Sequence, residues 1–317
     1  MSFQEVFPEI LSKTYSNCSS YNAIKNLPGE KVKSKIFGEK IIFLPFLDTL
    51  QLSSEIDEKE LNKLLENNEK TKLEIRTSES DVNLKKLEKV LMKKGFVNNV
   101  VKGHILSELT SQEDFWNRFH KHTRNDIRKA EKSSLEIKKI GDLKELKQFY
   151  SLYLQQMKEF GTPQHSFLFF KNCLEVMLDS FYGLNCYFNK RLIGSIILFI
   201  NKEYAYVSFN VSNPKYRGTR VNDLLYWEAI KWGMKNKIKK LDIGQVDLEH
   251  EPNSREENLF KFKTKWLGKV YKKVYFTKNF AYESSKKDSL KKFRAIWKKL
   301  PLFLIKFIGP LICSQLG

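Results

Sequence analysis

The stretch LNCYFNKRLIGSIILFINKEYAYVSFNVSNPKYRG, residues 184–218, constrains the fold more than any other. Three runs rich in β-branched and aromatic residues are joined by short polar turns around Asn189 and Asn201, the pattern of antiparallel hairpins. A loop holding Arg217 and Gly218 follows. Then come a helix, VNDLLYWEAIKWGMKNK, with Asn222 or Asp223 at its start, and a strand, KKLDIG. Upstream, LEIKKI reads as a strand, DLKELKQFYSLYLQQMKEF as a long amphipathic helix ended by GTP, and SFLFFKNCLEVML as another helix. The order predicts a mixed α/β (α+β) domain with a mostly antiparallel sheet.

The stretch NLFKFKTKWLG, residues 258–268, alternates. Phe260, Phe262 and Thr264 share one face of an extended chain, and Lys261, Lys263 and Lys265 share the other, so a half-buried strand with a solvated lysine face is predicted. KKVYFTK is read as the last strand. Before residue 110 the chain is also mixed: KIIFLPFLDTL is strand-like and stopped by Pro45, EKELNKLLENNEK is helical, KLEIRTS is a strand, and NLKKLEKVLMKKGF is a helix closed by Gly95. TSQEDFWNRFHKHTRNDIRKAEKS reads as one basic helix, capped by Thr110 or Ser111 with Glu113 as the acid of a capping box. At 317 residues and 41% hydrophobic content the chain can hold two modest cores. The expected division is 1–110, a connecting helix 111–133, a second domain 134–285 and a tail 286–317. GEKIIFLPF and GSIILFI are faintly similar, but no convincing repeat is visible.

The formal charge of +19 comes mainly from lysine, with only nine arginines among 56 basic residues. Much of that charge reads as solvated surface that attracts polyanions without specifying one. Arg124 and Arg128 sit one helical turn apart and Arg217 and Arg220 bracket Gly218. Either pair can grip a phosphate or carboxylate bidentately, or form surface ion pairs of little worth. The Arg217–Gly218 loop opening a helix is a ready anion site. Cys18, Cys173, Cys186 and Cys313 are scattered, with no partner at zinc-ligand spacing, so neither a disulfide framework nor a metal site is expected. Walker and dinucleotide glycine patterns are absent, and no serine elbow or Cys-His arrangement stands out. The histidines read as exposed or hydrogen-bonded.

The first residues, MSFQEVFPEI, lack a basic region and a long apolar run, so a cytoplasmic location is expected. The tail carries eight basic residues against the single acid Asp288. In LKKFRAIWKKL, Leu290, Phe293, Ile296, Trp297 and Leu300 fall on one helical face, Pro301 ends the turn, and LFLIKFIGPLI adds an apolar segment too short to span a bilayer. It either docks on the protein's own core or lies in an anionic membrane interface on the cytoplasmic side.

The order of these elements resembles the GNAT acyltransferase fold, and more narrowly the Fem-type branch, in which two GNAT-like domains form one enzyme. FHKHTRNDIRKAEK, YRGTRVNDLLYWEAIKWG, LDIG followed by NLFKFKTKWLG, and the tail IWKKLPLFLIKFIGPLI carry the resemblance, from about residue 30 to the end. The tail is most similar to members associated with exopolysaccharide clusters. The resemblance implies transfer of an acyl or aminoacyl group to an amine of a peptidoglycan or polysaccharide precursor, linked to a nucleotide or lipid diphosphate. No cofactor would be bound permanently; acyl-CoA or aminoacyl-tRNA would be the donor substrate. It implies that Lys263 faces phosphate and developing negative charge, that Arg217, Gly218, Arg220 and Asn222 cradle the donor, and that Arg124 and Arg128 hold the acceptor diphosphate. Asp242 either orients the amine, serves as its base, or is a structural carboxylate. RGTRVN departs from the full GNAT glycine pattern, which puts coenzyme A binding in question. The competing readings are an aminosugar N-acyltransferase that requires acyl-CoA, and a non-catalytic RNA- or membrane-binding protein of the same fold.

Overall fold

The computed structural model describes residues 3–24, 27–34, 38–43, 58–279 and 287–316. The expected stop at Pro45 and the boundary at 285 lie outside them. The first half runs α1 (Phe3–Thr14), β1 (Cys18–Ile24), β2 (Leu27–Ser34), β3 (Gly38–Phe43), α2 (Glu58–Asn67), β4 (Lys72–Ser78), α3 (Leu84–Lys93) and β5 (Val97–Glu108). Helices α4 (Gln112–Arg118) and α5 (Lys121–Glu131) lead to β6 (Glu136–Lys139), α6 (Leu143–Phe160), α7 (Phe167–Val176), β7 (Phe181–Phe188), β8 (Arg191–Asn201) and β9 (Tyr204–Ser212). Then follow α8 (Val221–Lys235), β10 (Lys240–Val246), α9 (Arg255–Thr264), β11 (Lys269–Lys278), α10 (Lys287–Lys299) and α11 (Leu302–Leu316).

All the described strands join one sheet, in the order β1-β2-β3-β4-β11-β5-β10-β9-β8-β7-β6. Only β3 with β4 and β9 with β10 are parallel; every other pairing is antiparallel. Apart from the added edge strand β6, equivalent strands follow one another outward from the β11–β5 pair in both directions. Three meandering strands, a helix, a parallel strand, a helix and a last strand occur twice: β1-β2-β3-α2-β4-α3-β5 and β7-β8-β9-α8-β10-α9-β11. The halves exchange their last strands, since β11 lies against β4 and β5 against β10. The faintly similar segments GEKIIF and GSIILFI lie on β3 and β8, which are not equivalent positions, so that likeness did not mark the real repeat.

Burial explains why β8 reads as a continuous apolar run. Its residues Ile193–Ile200 are covered on both faces, with Ile197 and Phe199 in one core and Ile196, Leu198 and Ile200 in the other. The first core continues under α6 and α7 into the first half of the chain; the second lies beneath α5 and α8.

Two local expectations are corrected. Residues 258–264 are helical, within α9, not a strand. Ser254 Oγ accepts from Glu257 N at 3.1 Å and Glu257 Oε2 accepts from Asn253 N at 2.8 Å. This capping box stabilises a helix start that the alternation concealed. The connecting helix is likewise two: it breaks at Phe119 and His120, both extended, and Ser111 caps α4 by accepting from Asp114 N, so Asp114 rather than Glu113 is the third-position acid.

Candidate active site

β9 and β10 pair only from Tyr204↔Lys240 to Tyr206↔Asp242. Beyond Asp242 the β10 register with β5 shifts, Gly244 takes a φ of +98°, and the two parallel strands part. The opening is a cavity of about 1100 Å³, walled by Tyr206, Ser208 and Asn210 of β9, Gly244 and Gln245 of β10, Tyr226 of α8, Phe262 and Lys263 of α9, and Phe160 of α6.

Lys263 stands in this cleft. Its Nζ donates to Gln245 O at 2.8 Å. A Cβ at Gly244 would lie 2.9 Å from that Nζ, so the glycine serves both the positive φ and the approach of the ammonium. Burial lowers the Lys263 pKa to about 8, against the opposing charge of Asp242 and with help from Lys273 and Lys102. Behind α9, Trp266 is fully buried and stacks on Tyr226, with rings 11° apart and 5.6 Å between centroids. Ser107 Oγ donates to Trp266 O at 2.6 Å. At Gly268 any Cβ would overlap Ile105, which is why the segment ends on glycine.

Asp242 is wholly buried and does not line the cleft. It accepts from Tyr204 Oη at 2.9 Å and Gly244 N at 2.7 Å, and pairs with His104 Nδ1 at 2.8 Å; His104 Nε2 in turn meets Ser78 Oγ at 2.8 Å. The carboxylate therefore fixes the bulge that opens the cleft and acts on Lys263 through its charge. Lys273 of β11, also buried, reaches Gln245 Oε1 at 3.3 Å. Nothing in the sequence separates Lys273 from the surface lysines; only its place between β4 and β5 does.

The expected donor cradle is divided. Arg217 and Asn222 line the cleft, and Asn222 bonds Asn210 and Ser212 of β9. Gly218 is exposed on the loop. Arg220 turns away, its Nε 3.0 Å from Asp126 Oδ1 on α5. The first turn of α8 presents its own anion, Asp223, buried and bound to Lys265, with burial holding its pKa above the ordinary carboxylate value. A carboxylate already meets the dipole there, so the helix start is not the open anion site expected from the sequence.

The expected acceptor pair does not reach the cleft. Arg124 Nη1 donates to Phe119 O at 2.8 Å and Asn117 O at 3.1 Å, closing the carbonyl end of α4 where the helix breaks. Arg128 lies over the Trp116 ring, 5.5 Å from its centroid, at a separate cavity of about 480 Å³ that includes Glu113, Glu131 and Trp227.

Residues 117–251 match the family described as an acetyltransferase (GNAT) domain, a span that includes the meander, α8 and β10 that form the cleft. Those residues carry a GNAT acetyltransferase domain. The fold is similar to that of FemX, with a TM-score of 0.62 and 12% identity over 80% of this chain and 84% of that one. It is also similar to L-PGS from Bacillus licheniformis, with a TM-score of 0.58 and 8% identity over 93% of this chain and 92% of that one. A conserved protein of unknown function from Bacteroides thetaiotaomicron VPI-5482 shares the fold with a TM-score of 0.61 and 13% identity over 87% and 90% of the two chains. No curated protein matches the chain at the sequence level.

Proposed function

We propose that the cleft between β9 and β10 transfers an acyl or aminoacyl group from an activated ester or thioester to an amine on a cell-envelope precursor. The amine nitrogen attacks the carbonyl carbon; a C–N bond forms, the C–O or C–S bond breaks, and the proton lost by the amine goes to the departing oxygen or sulfur. A free amine is nucleophilic enough to need no covalent enzyme intermediate, so holding the partners together and stabilising the oxyanion are the main tasks. Lys263 takes the second task and β9 aligns the donor. Asp242 positions Lys263 through the bulge at Gly244. The ammonium of Lys263 inside the cleft is the observation that carries this reading, and the fold shared with FemX and L-PGS supports envelope chemistry.

An aminoacyl ester of tRNA is favoured over acyl-CoA as donor. With Asp223 in the first turn of α8 and Arg220 paired to Asp126, Arg217 is left as the cation of that helix start for a coenzyme diphosphate, and the other arginine of the cleft, Arg255, lies over the Phe160 ring, 3.8 Å from its centroid. Acceptors fitting the reading are amines on nucleotide- or lipid-diphosphate-linked peptidoglycan or polysaccharide precursors. The test supplies labelled aminoacyl-tRNA and labelled acetyl-CoA in parallel. Transfer that ribonuclease abolishes, and that Lys263→Ala reduces at least about a hundredfold in a folded protein, is expected. Ribonuclease-insensitive transfer from acetyl-CoA would instead establish the aminosugar N-acyltransferase reading, and full activity in Lys263→Ala would remove Lys263 from the mechanism.

A further inference from the structure

The tail carries two apolar faces, and the protein covers one of them. On the inner face Trp297 and Ile305 are buried. Gln164 Nε2 donates to Ile305 O at 2.7 Å and Asn17 Nδ2 to Ser314 O at 2.9 Å. At the end of α6, α10 crosses so closely that a Cβ on Gly161 would lie 2.7 Å from Arg294 O. On the outer face Phe303, Phe307 and Leu311 are 63%, 71% and 68% exposed, and Ile296 is 63% exposed. Spacing by four residues sets the first three in one stripe along α11. A helix that merely docked on its own body would turn polar side chains outward; α11 turns aromatic rings outward.

The same two helices carry exposed cations, Lys292, Arg294, Lys298 and Lys299 on α10 and Lys306 on α11. Asp288 is the one acid between residues 287 and 316. We infer that the outer face seats the protein on an anionic bilayer surface, with Phe303, Phe307 and Leu311 entering the acyl-chain boundary and the cations meeting lipid phosphates. A second copy is the poorer occupant, because stripe-to-stripe pairing would bring two sets of like charges together without acids between them. Spanning is excluded for this segment. The 15 residues of α11 reach about 22 Å, against roughly 30 Å of hydrocarbon, and no helix among the described residues is long and apolar enough to cross. The tail also packs beside one wall of the cleft, for Phe160, which lines it, immediately precedes Gly161 under α10. On the transfer reading above, the acceptor amine is then carried by a lipid and meets the cleft at the bilayer surface. Docking itself does not depend on that reading.

Co-sedimentation of the full-length protein tests it, with phosphatidylcholine vesicles that contain or lack phosphatidylglycerol. Binding is expected to the mixed vesicles, weakening with added salt. The variant F303S/F307S/L311S is expected to lose at least about tenfold in partitioning, and K298E/K299E/K306E a similar amount, with thermal melting of both close to the parent because the changed side chains face solvent. Absence of binding by the parent, or undiminished binding by the serine variant, would overturn the inference. So would a parent dimer in sedimentation velocity that the serine variant dissolves. Transfer to a soluble acceptor is measured separately, so failure of docking and failure of the transferase reading are distinguishable.

Discussion

Lys263 keeps its charge in a place that disfavours it. Its pKa is lowered to about 8, chiefly by burial, whereas an unfolded chain holds the lysine proton to about 10.4. Between these values the unfolded state binds more protons, so this group makes stability rise with pH, and its full penalty is felt at neutral pH. Lys263→Met removes the charge at similar length. Its melting temperature at pH 7, read by calorimetry, is expected to equal or exceed the parent's while transfer is lost, as when an active site trades stability for function. A drop of several degrees would mark the ammonium as a structural brace. In the parent, the rate is expected to decline as pH rises through about 8, where the ammonium deprotonates. Lys263→Arg keeps its charge throughout and so should show a flat alkaline limb. That Lys263 would lie at a cleft was legible in the sequence because LDIG followed by a Phe-Lys pair resembles a family pattern. The role of Arg124 was not, because its partners are main-chain carbonyls of Asn117 and Phe119, exposed only by a helix break that packing creates. Spacing alone cannot tell a guanidinium already satisfied from one that is available.

At the scale of elements, the hairpins β7–β9 could be read directly, since runs of β-branched and aromatic residues between short polar turns leave a strong signal; α8 was also read as a helix, although it is buried on most sides and carries little periodic signal. Helix α9 could not be read from alternation, which fits a strand and a short helix alike; the Ser254-x-x-Glu257 box was the discriminating signal. Ser254→Ala is expected to lower stability by about 1 kcal/mol and to impair transfer more than that loss of folded protein explains, because α9 aims Lys263. Denaturant unfolding and kinetics on the same sample check this. Lys265, two residues on, has a different task. It binds buried Asp223 of α8 and stands 3.7 Å from Asp126 of α5. Lys265→Met leaves Asp223 buried without its partner and is expected to cost about 3–5 kcal/mol. The double change Lys265→Met with Asp223→Asn should recover most of it. Equal stability of the single and double variants in urea titration would show that the pair is not coupled.

At the scale of the whole molecule, the expectation of two similar modules was right in kind, but their union was hidden. Exchange of last strands leaves no mark on either half's composition, and equivalent strands such as β3 and β9 share geometry without shared residues. Because β11 is hydrogen-bonded to β4 on one side and β5 on the other, neither half has a complete sheet alone. A single calorimetric transition with equal calorimetric and van't Hoff enthalpies is therefore expected; two resolved peaks would show that the halves unfold separately.

The exchange also bears on how the protein is made. Residues 269–278 leave the ribosome long after β4 and β5, by on the order of ten seconds at usual elongation speeds. For that interval β4 and β5 lack the neighbour, β11, that lies between them in the finished sheet. The order of manufacture thus runs against the order of closure, and the newborn chain must be kept from foreign strands until its last one arrives.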